Sequence, residues 1–229
     1  MHPILFSIGP FKIYSYGVMM ALAFMLGTYL VDRRAVKNNI DRNKVIDLII
    51  YLLISSIIGA RILYVVINWQ DYSRNPFDIV KVWEGGLIFY GGLVSGILTA
   101  IWYLKRNKLK FSKVADILSP SLALGSAIGR IGCFLNGCCY GKNPHISLQL
   151  VESVVGFIIF LILLILEKRQ RQDGFLFWFF IFLYSATRFL TEGLRYNEVN
   201  YILFAGLSIS QYISILLASI SLFFLIRRT

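Results

Sequence analysis

Three arginines, Arg61, Arg130 and Arg188, lie inside long apolar runs of this 229-residue chain. An arginine at the centre of a bilayer costs about 2.5 to 3.5 kcal/mol on insertion scales, so it needs an anionic partner, a wet cavity or a function. A guanidinium fork holds phosphate oxygens bidentately, and a low dielectric strengthens that contact. These arginines therefore favour a binding site for an anion, and a phospholipid head group is the anion available at that level. Snorkelling, or pairing with Glu152, Glu192 and backbone carbonyls, is the structural alternative.

The segment 129–141 around Arg130 carries most of the other reactive groups. It holds four glycines, Asn136 and all three cysteines of the chain, which are Cys133, Cys138 and Cys139. With His145 the spacing C-x4-C-C-x5-H matches none of the usual zinc patterns, so we expect no metal and no cofactor. A disulfide of Cys133 with Cys138 or Cys139, or a thiol acidified by arginine, stays open. The interpretation we favour is that the cysteines are small packing residues.

The composition indicates an integral membrane protein. Of the residues 57% are hydrophobic and 15% are charged, and the mean hydropathy is +0.69. Repeated apolar runs of about 20 residues are each long enough to cross a hydrocarbon core. We expect an all-α polytopic protein in which residues 1–229 form a single membrane-embedded domain. The seven predicted transmembrane helices span residues 12–31, 45–67, 85–104, 114–135, 148–166, 175–194 and 201–226.

The distribution of basic residues predicts the orientation of these helices. Fifteen of the 23 lysines and arginines lie in three loops and the C-terminal tail, whereas five lie on the opposite side. The positive-inside rule then puts the N-terminus outside and the C-terminus in the cytoplasm. The three remaining bases are the intramembrane arginines, each in the outer third of its helix. Because the charge of +11 is confined to short loops, we expect no nucleic-acid binding.

Glycines are concentrated at the start of the third predicted helix. Gly85, Gly86, Gly91, Gly92 and Gly96 flank a tyrosine, Tyr90. Glycine lets helix backbones approach closely in membranes, so packing alone can explain the pattern. The alternative is that the paired glycines leave room for a lipid chain beside Tyr90.

In these motifs the chain resembles the bacterial prolipoprotein diacylglyceryl transferase family. The similarity extends from His2 to Gln211. It rests on Gly59-Ala60-Arg61, Trp83-Glu84-Gly85-Gly86, Tyr90-Gly91-Gly92, Asp116 with Pro120, Gly129-Arg130-Ile131-Gly132, Asn136-Gly137, Gln149-Leu150 with Glu152, and Tyr184 with Arg188, Glu192 and Arg195. The resemblance implies transfer of the diacylglyceryl group of phosphatidylglycerol to the thiol of a lipobox cysteine in a lipoprotein precursor, with release of glycerol phosphate. It also implies a multi-pass protein of the bacterial cytoplasmic membrane.

From the residues and the resemblance together we assign roles. The catalytic residues are expected to be Arg130 and Arg188, which would stabilise the departing phosphate, and Tyr90. The substrate-binding residues are expected to be Tyr16, Arg61, Gly91, Gly92, Asp116, Asn136, Gly141, Glu152, Tyr184, Glu192 and Arg195. Among them Glu152 and Glu192 would orient the arginines.

The chain departs from the family pattern in several places. Cys133 stands where an asparagine is common, Cys138 where an acidic residue often follows Asn-Gly, and Tyr90 where many members have histidine. The segment between Gly141 and Gln149 is short, so the extracytoplasmic head is reduced. Tyr90 leaves the general base open, although arginines lower the pKa of a neighbouring thiol.

Three other functions stay open on the sequence. A paralogue of the same fold would transfer the lipid to another acceptor. A phospholipid transporter or flippase would use the arginine site without chemistry, although no inverted repeat is evident. A thiol-redox protein would work through its three cysteines.

Overall fold

The computed structural model describes residues 2–8, 11–73, 76–82, 85–143, 147–169, 172–195 and 206–227. A two-stranded antiparallel hairpin, β1 Ile4–Ile8 and β2 Phe11–Tyr14, precedes eight α-helices. The helices are α1 Ser15–Lys37, α2 Arg42–Ile67, α3 Trp69–Tyr72, α4 Phe89–Arg106, α5 Phe111–Asn136, α6 Leu148–Glu167, α7 Phe175–Gly193 and α8 Ile209–Ile226. A 3₁₀ turn occupies Pro76–Val80.

Six of these helices are long and apolar enough to cross a membrane: α1, α2, α5, α6, α7 and α8. The fold is therefore that of a polytopic, predominantly helical membrane protein. The all-α prediction is confirmed. A short hairpin of residues 4–8 and 11–14 precedes the first helix, which begins at Ser15 instead of Lys12. Within the described residues, α4 is the predicted span that does not reach the same hydropathy, because its 18 residues end in Lys105 and Arg106.

The chain divides into two compact units, Met1–Arg34 with Ser112–Thr229, and Ala35–Phe111. In the first unit α5, α6, α7 and α8 form the centre. Ile159 and Leu163 of α6 pack with Phe175 and Phe180 of α7, and all four are buried. Lipid tails are as apolar as these side chains, so the contact stabilises the helix pair mainly through van der Waals packing.

Helices α5 and α6 approach closely at Ala127 and Gly156. A Cβ added to Gly156 would lie 3.2 Å from the Cα of Ala127, so only glycine fits without moving the α5 backbone. Three residues before Gly156, the hydroxyl of Ser153 donates to the carbonyl of Ala127 at 2.9 Å. This contact fixes the helices one turn from Arg130 on α5 and one turn from Glu152 on α6.

The N-terminal end of α5 is fastened by Arg34 and Asp116. The Arg34 guanidinium donates to the carbonyls of Ile117 at 2.6 Å and Asp116 at 3.2 Å, and its Nε lies 3.2 Å from a Glu167 oxygen. The Asp116 carboxylate accepts from the backbone N–H groups of Gly174 at 2.6 Å and Phe177 at 2.8 Å. It therefore caps α7, whose first N–H groups have no partner within the helix.

The second unit is organised by close contact between α2 and α4. A Cβ on Gly91 would lie 2.7 Å from the Leu63 Cβ, and one on Gly92 would lie 2.9 Å from the Ser56 carbonyl oxygen. Gly92 and Gly96 are buried. The contacts of these glycines are thus helix packing, and they leave no room for a lipid chain between α2 and α4.

Candidate functional site

The carboxylate of Glu152 is shared by three arginines. Its oxygens lie 3.1 Å from Nε of Arg130, 3.2 Å from Nη1 of Arg188 and 3.3 Å from Nη2 of Arg195. The side chain of Glu152 is 8% exposed, whereas those of the arginines are 16% to 22% exposed. One buried carboxylate therefore holds three guanidiniums that remain partly accessible.

A second carboxylate, Glu192, completes the cluster. Arg188 and Glu192 are four residues apart on α7, which places them on one face, and Nη2 of Arg188 lies 2.7 Å from a Glu192 oxygen. The Ser208 hydroxyl, at the start of α8, donates to the other oxygen at 3.4 Å. Three guanidiniums then face two carboxylates, so these five side chains carry a surplus positive charge. The predicted pairing of Glu152 and Glu192 with arginines is present.

Arg195 reaches Glu152 because the chain after α7 pairs with the segment before α6. Gly141 forms an antiparallel bridge with Arg195, and the N–H of Lys142 donates to the Leu194 carbonyl at 2.8 Å. A Cβ on Gly141 would lie 3.3 Å from the Leu194 carbonyl oxygen and 3.2 Å from the Leu148 Cβ. Glycine at position 141 thus allows the approach that positions Arg195.

A cleft runs from the arginines between α5, α6 and α7. Arg130, Arg188 and Glu152 lie at one part of it, and Val155 and Ile159 line the apolar part. The remaining lining residues are Ser126, Gly156, Tyr184, Thr187 and Thr191. Ile159 is seven residues from Glu152, about 10 Å along the helix. The cleft therefore combines a cationic part with an apolar part.

Two further predicted residues lie near the end of α5. A Cβ on Gly132 would lie 3.2 Å from the Tyr16 ring, so Tyr16 packs against α5 within a turn of Arg130. Tyr16 is 41% exposed. Asn136 is the last residue of α5 and is exposed.

The three cysteines lie together beyond Arg130. Their Sγ atoms are all within 4.8 Å of one another, and those of Cys138 and Cys139 are 3.4 Å apart. All three are free thiols. Partial burial raises the pKa of the Cys139 thiol and Cys138 raises it further, whereas Arg195 and Arg130 act in the opposite direction. The raised pKa gives no support for an acidified thiol at Cys139. His145, the last residue of the C-x4-C-C-x5-H spacing, lies outside the described residues.

Asp116 does not join this cluster. It precedes Arg130 by fourteen residues on α5, about 21 Å along the helix, and its oxygens cap α7. These contacts fit a structural role for Asp116, and the expectation that it binds substrate stays a prediction.

Arg61 lies in the second unit, buried among carbonyl groups. Its guanidinium donates to the carbonyls of Ile79 at 2.9 Å, Gly85 at 2.6 Å and Asp78 at 2.7 Å. The contacts fit a clamp on the segment before α4 better than a binding site for an anion. Tyr90, in the first turn of α4, is 53% exposed and lies against the Phe89 ring. Its catalytic role stays a prediction.

The cleft also contains polar residues that the sequence did not indicate. Ser126 precedes Arg130 by four residues, and Thr191 follows Arg188 by three. Helical spacing was the signal available, because residues three or four apart share a face. Applied outward from Tyr184 and Arg188, that spacing would have found Thr187 and Thr191.

The helices define a multi-pass membrane protein, and the arginine cluster is its candidate site for an anion. A family model described as prolipoprotein diacylglyceryl transferase matches residues 3–227, and the chain belongs to this family.

Curated relatives extend the match over most of both chains. The chain is 34% identical to the phosphatidylglycerol--prolipoprotein diacylglyceryl transferase of Bacillus licheniformis, over 95% of this chain and 88% of that protein. Proteins of the same name from Bacillus mycoides and Halalkalibacterium halodurans are 34% and 32% identical. The first alignment covers 97% of this chain and 90% of the relative, and the second covers 92% and 81%.

Proposed function

We propose that this protein transfers the diacylglyceryl group of phosphatidylglycerol to the thiol of the lipobox cysteine in a lipoprotein precursor, releasing glycerol phosphate. Membership of the family makes the chain a transferase of lipoprotein biosynthesis. The observation that carries the assignment of the site is the set of three arginines around Glu152, of which Arg130 and Arg188 line the polar part of the cleft.

The direction of charge movement explains why arginines serve this reaction. The acceptor sulfur attacks the glyceryl carbon, and the bond from that carbon to the phosphate oxygen breaks. The phosphodiester carries one negative charge, and the released phosphomonoester carries up to two, so negative charge grows on phosphate oxygens during the step. Groups that bind the leaving phosphate more strongly in the transition state than in the ground state accelerate the reaction. Arg130 and Arg188 are placed for this role.

Glu152 and Glu192 position those guanidiniums before substrate arrives. Carboxylates that hold arginines in fixed orientations reduce the reorganisation needed when the phosphate binds. The surplus positive charge of the cluster supports binding of a monoanion. Tyr16, Asn136 and Tyr184 would contact the head group, with Tyr90 a further predicted contributor.

The apolar part of the cleft supports a lipid in preference to a soluble phosphate ester. Val155 and Ile159 continue from the arginines along α6, where an acyl chain would follow a head group. Ile159 is already buried in the core, so the contact that a soluble glycerophosphodiester would forgo is with the partly exposed Val155. The substrate is therefore expected to need at least one acyl chain for tight binding.

The proposal includes a seven-span topology in the bacterial cytoplasmic membrane, with residues 1–229 as one domain. The N-terminus would be outside and the C-terminus cytoplasmic. Helix α4 has 18 residues and is about 27 Å long, close to the hydrocarbon thickness of about 30 Å. The basic loops would then be cytoplasmic and the arginine cluster would lie near the outer face. Reporter fusions after residues 108 and 142 should report the cytoplasm and the exterior, respectively, and the reverse result would contradict this orientation.

The test is the mass of a synthetic lipobox peptide after incubation with the purified protein and phosphatidylglycerol. Wild type should add one diacylglyceryl group to the cysteine and release an equal amount of glycerol phosphate. Arg130→Ala should lower the rate at least about 100-fold, because loss of one oxyanion donor typically costs that much.

Arg33→Ala is the matched control. Arg33 is exposed on α1, where its guanidinium lies 4.7 Å from the Tyr29 ring, and its loss removes the same charge. Its rate should stay within about twofold of wild type. Full activity of folded Arg130→Ala would contradict the site. Lipid movement between leaflets without glycerol phosphate would contradict the transferase proposal and support a transporter, and transfer only to other thiols would indicate a different acceptor.

A further inference from the structure

We propose that Cys133, Cys138 and Cys139 form a site for a thiophilic divalent cation of the zinc class, which binds three thiolates and has a fourth position open. Nothing in the arginine site requires these thiols. The sequence spacing alone did not favour a metal, so the inference rests on how the fold brings the sulfur atoms together.

The distances between the thiols fit a metal centre. For zinc–sulfur bonds of about 2.3 Å in a tetrahedral site, neighbouring sulfurs lie about 3.8 Å apart. The Sγ atoms of Cys138 and Cys139 are 3.4 Å apart, and all three lie within 4.8 Å of one another. The widest separation would therefore close by about 1 Å at most when an ion binds. Side-chain rotation can supply a movement of that size.

The backbone at the end of α5 creates this arrangement. The N–H groups of Gly137 and Cys138 both donate to the Cys133 carbonyl, at 3.1 Å and 3.2 Å, and turn the chain back toward the helix. Gly137 has φ +75° and Cys139 has φ +66°. A left-handed conformation is uncommon for a residue with a side chain and persists where surrounding contacts impose it. The thiol of Cys133 therefore lies close to the thiols of Cys138 and Cys139.

Gln149 holds the turn from outside the cysteine segment. Its side chain is 1% exposed, and its amide nitrogen donates to the Cys138 carbonyl at 2.7 Å. A fixed backbone at Cys138 reduces the conformational entropy lost when the thiols become ligands. The neighbouring α6 therefore supports the cysteine turn as well as Glu152.

The charges around the thiols also suit a metal–thiolate centre. A divalent ion with three thiolates carries one net negative charge. Arg130 precedes Cys133 by three residues and shares its helix face, and both Arg130 and Arg195 act electrostatically on Cys139. The Arg130 guanidinium on this face would lie near the negative charge of a bound centre. Thiolates select soft ions such as zinc over magnesium or calcium.

The open position has a consequence for the transfer reaction, and this consequence rests on the proposed function. A thiol that coordinates such an ion is deprotonated. The acceptor cysteine would bind there as a thiolate, and its proton would pass to solvent. Its sulfur would then form the bond to the glyceryl carbon as the carbon–oxygen bond to phosphate breaks. The chain has Tyr90 where many family members have histidine, so no obvious base deprotonates the acceptor thiol. The bound ion would promote that deprotonation instead.

The direct test is titration of the reduced, full-length protein in detergent with Co²⁺, followed by displacement with Zn²⁺. The chain has only three cysteines, so any thiolate-to-cobalt absorption band must come from them. One equivalent of Co²⁺ should give a tetrahedral thiolate spectrum, which Zn²⁺ should remove. X-ray absorption of the zinc form should give three sulfur neighbours. Absence of the band, or fewer than two sulfurs, would overturn the proposal.

Single serine variants test each ligand, and Tyr140→Phe is the control. Cys133→Ser, Cys138→Ser and Cys139→Ser should each weaken metal binding more than about 100-fold, since even groups that only orient ligands contribute 10- to 100-fold. Tyr140→Phe keeps all three thiols and should bind as wild type does. Unchanged binding in any folded serine variant would remove that residue from the site.

Activity is measured separately with phosphatidylglycerol and the lipobox peptide. If the ion activates the acceptor, chelation should lower the rate at least about tenfold and one equivalent of Zn²⁺ should restore it. Metal binding with no effect on rate would keep the site and overturn its catalytic consequence. Transfer by a protein that binds no metal would overturn the metal site and leave the proposed function intact.

Discussion

Arginine and glutamate side chains lie beside both ends of α5, but the two groups of contacts differ. At the N-terminal end, Arg34 is 7% exposed, faces Glu167 and donates to two carbonyl groups. At the C-terminal end, three arginines that are 16% to 22% exposed share the single carboxylate of Glu152. The donors of Arg34 bind groups of the protein itself. The three arginines around Glu152, in contrast, retain a surplus positive charge that could bind a ligand. A buried or partly buried arginine is therefore judged by how completely its donors are used and how far it is buried.

The largest expected effect comes from Arg188, which contacts both carboxylates of the cluster. Arg188→Ala removes a guanidinium from the cleft and leaves Glu192 without its 2.7 Å partner. We expect a loss of at least about 1,000-fold in transfer rate, because an electrostatic donor and the order of the cluster are lost together. Single-turnover kinetics with the lipobox peptide measure this loss of rate.

In contrast, Arg34→Ala should keep the rate per folded molecule within about threefold, although breaking a buried pair destabilises the protein by about 3 to 5 kcal/mol. Equal loss of rate in both variants would remove the distinction between the two ends.

Neutralising the shared carboxylate should have the next largest effect. Glu152→Gln keeps the size of the side chain but leaves three guanidiniums to repel one another, so the arginines should lose their common orientation. We expect about a 100-fold loss of rate, measured as kcat/KM for phosphatidylglycerol. Glu167→Gln makes the same chemical change at the other end of α5 and should alter the rate less than about threefold. A rate for Glu152→Gln close to wild type would show that the arginines are oriented without it.

A packing change should disturb the cluster without touching its charges. Gly156→Ala would place a methyl group 3.2 Å from the Ala127 Cα and separate α5 from α6. Arg130 and Glu152 lie one turn from that contact, so we expect about a tenfold lower rate and about 1 to 3 kcal/mol lower stability. Gly125→Ala is the matched control, because no atom lies within 4 Å of its added Cβ. Activity and thermal unfolding of the two variants, compared side by side, check this expectation, and identical behaviour would contradict it.

The smallest effect on activity is expected at Asp116. Asp116→Asn weakens the cap on the first N–H groups of α7, at Gly174 and Phe177. Loss of a helix cap costs about 0.5 to 2 kcal/mol, so the melting temperature should fall while the rate stays within about twofold. A large rise in KM for phosphatidylglycerol at unchanged stability would restore Asp116 to the binding site.

The sequence predicted the helices and the partners of the arginines for physical reasons that act locally. Apolar runs report on membrane spans directly, and the spacing of Arg188 and Glu192 puts them on one helix face. The roles of Asp116 and Arg61 depend on which backbone groups approach them from distant segments. The same holds for Gly91 and Gly92, whose neighbours are on another helix. The clustering of the cysteines depends on positive φ angles at Gly137 and Cys139, which spacing alone does not reveal.

The most direct measurement is the position at which a photoreactive phosphatidylglycerol, with the reactive group on its head-group glycerol, labels the purified protein. If the arginine cluster binds the head group, the label should be found within residues 126–136, 148–159 or 184–195. Unlabelled phosphatidylglycerol should compete with this labelling, and Arg130→Ala should reduce it. A zwitterionic phospholipid should compete little with this labelling. Labelling confined to the N-terminal end of α5, around Arg34 and Glu167, would contradict the assignment of the arginine cluster as the site.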